Sequence, residues 1–122
     1  MKKVIVVEDD LEIAEMLKIV LGELNVDLIF FDRGEPIIDG NYTLPDLFLL
    51  DKHLPGIDGL DVCRYLKSTE TTRNIPVIMM SANLRIAELS EAAGADDMIM
   101  KPFNIKELKK MVQAYLDEKA AG

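Results

Sequence analysis

Four short apolar runs, unbroken and each ending in a polar residue, constrain this chain more than any other feature. Val4-Ile5-Val6-Val7 leads into Glu8-Asp9-Asp10, and Leu47-Phe48-Leu49-Leu50 into Asp51. Val77-Ile78-Met79-Met80 stops at Ser81, and Met98-Ile99-Met100 at Lys101-Pro102. Runs of this length without polar alternation are strands buried on both faces, the habit of parallel sheets covered by helices on both sides. Open parallel sheets bind ligands at the carboxyl ends of their strands. If the four runs are parallel neighbours, Glu8, Asp9, Asp51, Ser81 and Lys101 meet in one cleft. A cluster of carboxylates with one hydroxyl and one ammonium suits a hard cation and a phosphoryl group.

The intervening segments have helical spacing. Residues 11–24 carry Ile13, Leu17, Val20 and Leu24 on one stripe, with Ala14 and Leu21 beside it, and Asp9 or Asp10 can cap that helix. Val26 to Phe31 predicts a more exposed strand, flanked as it is by Asp27 and Asp32. Gly34, Pro36, Gly40 and Pro45 punctuate the next stretch, leaving Ile37 and Ile38 to anchor one short, irregular helix. Leu54-Pro55-Gly56-Ile57-Asp58-Gly59 is a turn-rich loop. A helix is expected from Leu60 to Lys67, with Leu60, Cys63, Leu66 and Lys67 on one side. Ile75-Pro76 opens the strand that runs through Met80. A further helix spans about Leu84 to Ala93, stopped by Gly94. After a strand from Asp97 to Met100, the last helix runs from about Ile105 to Glu118, capped by Asn104, with Ile105, Leu108, Val112, Tyr115 and Leu116 as its apolar stripe. Five strand–helix repeats imply an α/β fold with a parallel sheet, right-handed crossovers and helices on both faces.

A chain of 122 residues is long enough for one domain with a core that needs no disulfide. The single cysteine, Cys63, excludes an internal disulfide and reads as a small apolar helix residue. A net charge of −8 argues against direct nucleic-acid contact by this domain. Met1-Lys2-Lys3 precedes only four apolar residues, too few for a signal segment, and no stretch approaches membrane-spanning length. The cytoplasm is the expected location. Residues 118–122 read as a frayed tail or the start of a linker.

Taken in order, Val-Val-Glu8-Asp9-Asp10, the lone Asp51, Leu54-Pro55-Gly56-Ile57-Asp58-Gly59, Ser81-Ala82 and Lys101-Pro102-Phe103 make the chain resemble the receiver domain of two-component response regulators. The resemblance covers essentially the full length. It implies a flavodoxin-like (βα)5 three-layer sandwich, with a parallel five-stranded sheet in the order 2-1-3-4-5. It makes Asp51 the acceptor of a phosphoryl group from a sensor histidine kinase or a histidine phosphotransfer protein. It implies Mg2+, replaceable by Mn2+, held by Glu8, Asp9, Asp51 and the backbone carbonyl of His53, with Glu8 acting through a water. Asp10 reads instead as a solvated helix start, favoured by the helix dipole.

By the same resemblance, Lys101 pairs with Asp51 before transfer and with a phosphoryl oxygen after it. The Lys101–Pro102 bond is implied to be cis, Ser81 donates its hydroxyl to the phosphoryl group, and Gly59 is structural. Lys52, His53 and Asn83 are implied to lie at the pocket rim and to tune phosphoryl lifetime. Met98 stands where the family commonly carries Tyr or Phe, so a flexible thioether replaces the usual aromatic switch. The implied output face contains Arg85, Glu88, Met98, Glu107 and Lys110, on the fourth helix, fifth strand and fifth helix. An output protein or domain, or a second copy forming a dimer, is its expected partner.

Other functions fit less well. Aspartyl-phosphate phosphatases usually place a second Asp two residues after the nucleophile, where this chain has His53. A nucleotide or flavin binder on this fold needs a Gly-rich loop where Glu8-Asp9-Asp10-Leu11 stands. A receiver-like interaction module that is never phosphorylated would show damage at Asp51, the acidic pair or the lysine, and none is damaged. The chain is thus expected to modify and dephosphorylate itself rather than turn over a substrate. Three carboxylates in one cleft repel, each close pair by about 1–4 kcal/mol at about 4 Å. Mg2+ should therefore stabilise the fold, and Asp51→Asn should stabilise the metal-free protein.

Overall fold

Five strands form one parallel sheet: β1 (Lys3–Val7), β2 (Asp27–Phe31), β3 (Leu47–Asp51), β4 (Val77–Ser81) and β5 (Asp97–Met100), in the order β2-β1-β3-β4-β5. The structure is a computed structural model that describes the backbone of residues 1–121 and the side chains of residues 1–117. Val7 stands opposite Phe31 and Leu50, Asp51 opposite Met80, and Ser81 opposite Met100. The carboxyl ends of β1, β3, β4 and β5 thus finish nearly level.

The pleat divides each apolar run between two cores. Ile5, Val7, Phe48, Leu50, Val77 and Met79 face α2 (Glu35–Ile38), α3 (Gly59–Ser68) and α4 (Ile86–Ala92). Val4, Val6, Leu47, Leu49, Ile78 and Met80 face α1 (Leu11–Gly22) and α5 (Ile105–Ala121). All twelve of these strand residues are fully buried, which is why the runs show no polar alternation. Among the described residues, no helix is long and apolar enough to cross a membrane.

Local chemistry sets the element ends. Asp10, rather than Asp9, caps α1: its Oδ1 accepts the N–H groups of Glu12 and Ile13. The helix stops two residues earlier than its spacing suggests, and Asn25 turns the chain with φ 59°. Asp58 caps α3, accepting the Leu60 N–H at 2.8 Å. α4 is shorter than the expected span of 84–93, because Asn83 builds a turn of its own. The Asn83 Oδ1 accepts the Arg85 N–H, and its carbonyl accepts the Ile86 N–H. Gly94 follows α4 with φ +84°. Asn104 caps α5 through the Glu107 N–H. The tail or linker expected over residues 118–122 falls outside the described side chains, and Gly122 outside the described residues.

At the amino edge of the sheet, Lys67 closes the last turn of α3 onto the starts of β4 and β5. Its Nζ lies 2.6 Å from Asp96 Oδ2 and donates to the carbonyls of Ile75 at 2.8 Å and Arg73 at 3.2 Å. The same Asp96 oxygen accepts the Val77 N–H at 2.8 Å. The apolar side predicted for α3 is therefore extended by a lysine whose charge is fully partnered.

Candidate functional site

At the opposite edge, β1 delivers Glu8 and Asp9 while β3 delivers Asp51. One carboxylate oxygen from each of the three lies within 4.8 Å of the other two. Glu8 and Asp51 are each only 3% exposed, whereas Asp9 is open to solvent. Lys101 enters from the end of β5, its backbone N–H held by Ser81 O at 2.9 Å and its peptide bond to Pro102 cis. Its Nζ lies 2.6 Å from Glu8 Oε1 and 3.0 Å from Asp51 Oδ1. The second Glu8 oxygen accepts the Asp10 N–H at 3.3 Å.

Burial pushes the Glu8 carboxyl up to about 7, and the Asp51 charge adds to it, against the pull of the Lys101 hydrogen bond. Burial disfavours the Lys101 ammonium too, but its bonds to Glu8 and Asp51 and their charges outweigh this and raise its pKa. Three carboxylates and one ammonium leave the pit with surplus negative charge. Mg2+–oxygen bonds of about 2.1 Å bring neighbouring ligand oxygens within roughly 3–4 Å of each other. The donor set, three carboxylates with oxygens within 4.8 Å of one another, is of the kind a small, hard divalent cation takes once the side chains close on it.

The remaining residues singled out from the sequence have different surroundings. Ser81 is fully buried and its Oγ accepts the Asn83 N–H at 2.9 Å, a local bond that uses a lone pair and leaves the hydroxyl hydrogen free to donate. Asn83 spends its own oxygen on Arg85, as above. His53 is exposed. Lys52 turns its ammonium to Asp58 Oδ2 at 3.1 Å. Met98 is half-buried against the core cluster that includes Met79 and Ile86. Gly59 is required: a Cβ there would stand 1.9 Å from the Asp51 carbonyl oxygen.

On the α4–β5–α5 side, Arg85 pairs with Glu88 at 3.2 Å, and Glu107 and Lys110 line a shallow groove with Asp97, Met111 and Tyr115. The Tyr115 hydroxyl reaches Asp97 Oδ2 and Asp96 O. Two features escaped the sequence. One is that Glu8 is the closer partner of Lys101. The other is the double duty of Asp58, whose place just before Gly59-Leu60 is an N-cap signal but carries no sign of an ion pair.

A family model of the response regulator receiver domain matches residues 4–113. The chain belongs to this family. The receiver domain is 41% identical over 118 residues to the DNA-binding response regulator MtrA of Mycolicibacterium paratuberculosis, an alignment covering 94% of this chain and 51% of that protein. It thus spans about half the length of the curated relatives it matches. A putative response regulator from Chloroflexus aurantiacus superimposes with a TM-score of 0.89 at 31% identity, over 95% of this chain and 98% of that one. The receiver domain of the sensor histidine kinase PA1611 from Pseudomonas aeruginosa superimposes with a TM-score of 0.86 at 25% identity, with the same coverage. That structure has a magnesium ion coordinated in its active-site cleft.

Proposed function

We propose that this receiver domain accepts a phosphoryl group on Asp51 from a phosphohistidine of a sensor kinase or phosphotransfer protein, in a Mg2+-dependent step. The observation that carries the reading is the pit itself. A buried Asp51 shares one ammonium with Glu8, and Asp9 stands beside both. Asp9, Asp51 and the His53 carbonyl would hold the cation, with Glu8 behind them; Mn2+ has the same oxygen preference. Bound there, the cation would supply positive charge to the phosphoryl oxygens.

The chain's own residues supply placement and charge. An Asp51 oxygen forms the new O–P bond as the N–P bond breaks, and the imidazole nitrogen keeps the bonding pair and takes up a proton. Lys101 moves from a carboxylate partner to a phosphoryl oxygen, which keeps its charge matched through the step. Ser81 offers its free hydroxyl hydrogen to the same group. His53, exposed at the mouth, and Asn83, in the β4–α4 turn, tune attack by water. No outside substrate is turned over, so the domain is a self-modifying switch or relay rather than an enzyme in the usual sense.

The α4–β5–α5 side, with Arg85, Glu88, Met98, Glu107 and Lys110, is the surface we assign to an output protein or domain, or to a dimer. With a net charge of −8 the domain itself does not touch nucleic acid, and it acts in the cytoplasm. Intact mass after incubation with a small phosphodonor tests the core of the reading. The expected result is one added phosphoryl group, dependent on Mg2+ and lost in Asp51→Asn. No gain by the wild type would leave a receiver-like interaction module that is never phosphorylated.

A further inference from the structure

The loop of residues 52–59 joins the phosphoacceptor strand to α3, and Lys52 fastens it at four points. Its N–H donates to Met80 O at 2.9 Å, and its carbonyl accepts the Gly59 N–H at 2.8 Å and the Leu54 N–H at 3.2 Å. Its ammonium, on a side chain only 14% exposed, meets Asp58 Oδ2 at 3.1 Å. The other Asp58 oxygen is committed to the cap of α3. One carboxylate therefore ties the start of the loop to the first turn of the helix.

The bond from Leu54 to Lys52 closes a three-residue turn with His53 at its apex. Leu54 is anchored in the core while the His53 imidazole is exposed. The orientation of the His53 peptide is thus set by its two neighbours and not by its own side chain. We propose that Lys52, acting through Asp58, is a positioning residue for the cation site: the ion pair keeps the loop closed and the His53 carbonyl in register with Asp9 and Asp51. This inference rests on the metal-dependent reading of the pit. It gives Lys52 a role in metal affinity through the loop, rather than a direct one at the rim.

The competing account is an ordinary structural ion pair, and Lys67–Asp96 is the internal control. It is also a partly buried Lys–Asp pair at the end of a helix, but at the other edge of the sheet. Titration calorimetry of MgCl2 into the full chain separates the two. Lys52→Met and Asp58→Asn should each weaken Mg2+ binding, on the order of tenfold, as loss of an outer-shell partner typically does. Asp58→Asn keeps an oxygen for the α3 cap, so it decides the matter even if Lys52→Met fails to fold. The double variant should bind no worse than either single one, because both remove the same contact. Lys52→Arg should restore affinity, and Lys67→Met should lower the melting temperature while leaving affinity unchanged.

Unchanged affinity in both single variants overturns the proposal, as does an equal loss in Lys67→Met. Additive losses in the double variant overturn the route through Asp58. A wild type that binds no Mg2+ removes the metal reading itself, an outcome distinct from the others.

Discussion

Lys67 and Lys101 stand at opposite edges of the same sheet, each with a side chain 15% exposed and each within 2.6 Å of a carboxylate oxygen. Lys67 faces one carboxylate and two backbone carbonyls, so its charge is balanced and its three donors are used. Lys101 faces Glu8 and Asp51, with Asp9 close by, so one positive charge serves three negative ones. The first arrangement is complete as it stands. The second is incomplete, and in the proposed reading that surplus of negative charge is the place for a cation and a phosphoryl group. The two lysines are equally buried, but the Asp96 side chain is 36% exposed where that of Glu8 is fully buried, and the charge count differs.

The largest effect that tests this contrast is Lys101→Met. Without metal at pH 8, denaturant unfolding should show a loss of about 3–5 kcal/mol, the usual result of leaving buried charges unpaired. The loss should shrink at pH 6, where Glu8 is protonated. A loss that does not depend on pH would mean that Lys101 is a structural pair like Lys67.

Glu8 supplies the next test. Its carboxyl titrates at about 7 in the fold against 4.5 for the free group. The folded state therefore holds the proton more tightly than the unfolded state. The stability this contributes is present below pH 4.5 and is lost as pH rises through 7. The difference between wild type and Glu8→Gln should fall across that window by on the order of 3 kcal/mol and then level off.

Mg2+ should act in the opposite sense, because binding needs the ionised carboxylate. Its affinity is expected to rise as pH passes about 7, and at roughly 100 times its dissociation constant it should add about 2.7 kcal/mol. A melting temperature indifferent to Mg2+ would remove the distinction between the two edges. Lys67→Met should cost about 1–3 kcal/mol at every pH and be deaf to Mg2+, since it strands hydrogen-bond acceptors without leaving a charge cluster. The smallest effect is Asp51→Asn in the metal-free protein. Relief of its repulsion with Glu8, offset by a weaker bond to Lys101, should leave a gain of about 1 kcal/mol. A variant that melts well below the wild type would show that repulsion does not govern the pit.

Much of this was legible in the sequence, unevenly. The runs at Val4, Leu47 and Val77 announce strands because burial on both faces removes every polar position. Their order in the sheet is not written in any period and came from the family resemblance alone. The last helix carries a cap and a stripe that can be read directly, whereas α4 came out shorter because the Asn83 side chain competes for the backbone. In the site, Glu8, Asp9, Asp51 and Lys101 are marked by their places at strand ends. Ser81 also ends an apolar run, whereas only the resemblance implies a place at the pocket rim for Asn83 and Lys52; the described partners of the three are Asn83 N–H, Arg85 N–H and Asp58. At a strand end, the pleat and the following turn choose the direction of a side chain, and neither follows from residue type.

Sequence by itself determined that Glu8, Asp9, Asp51 and Lys101 arrive at one edge, because they follow three apolar runs that have no other way to hide from water. Only the tertiary structure decided that Lys101 sits closer to Glu8 than to Asp51. Those contacts join residues 93 and 50 positions apart, and they depend on the register of separate strands. Hydrophobic burial is tolerant of an ångström and can be read as a pattern. An ion pair at 2.6 Å is not tolerant, and it exists only once the sheet has been assembled.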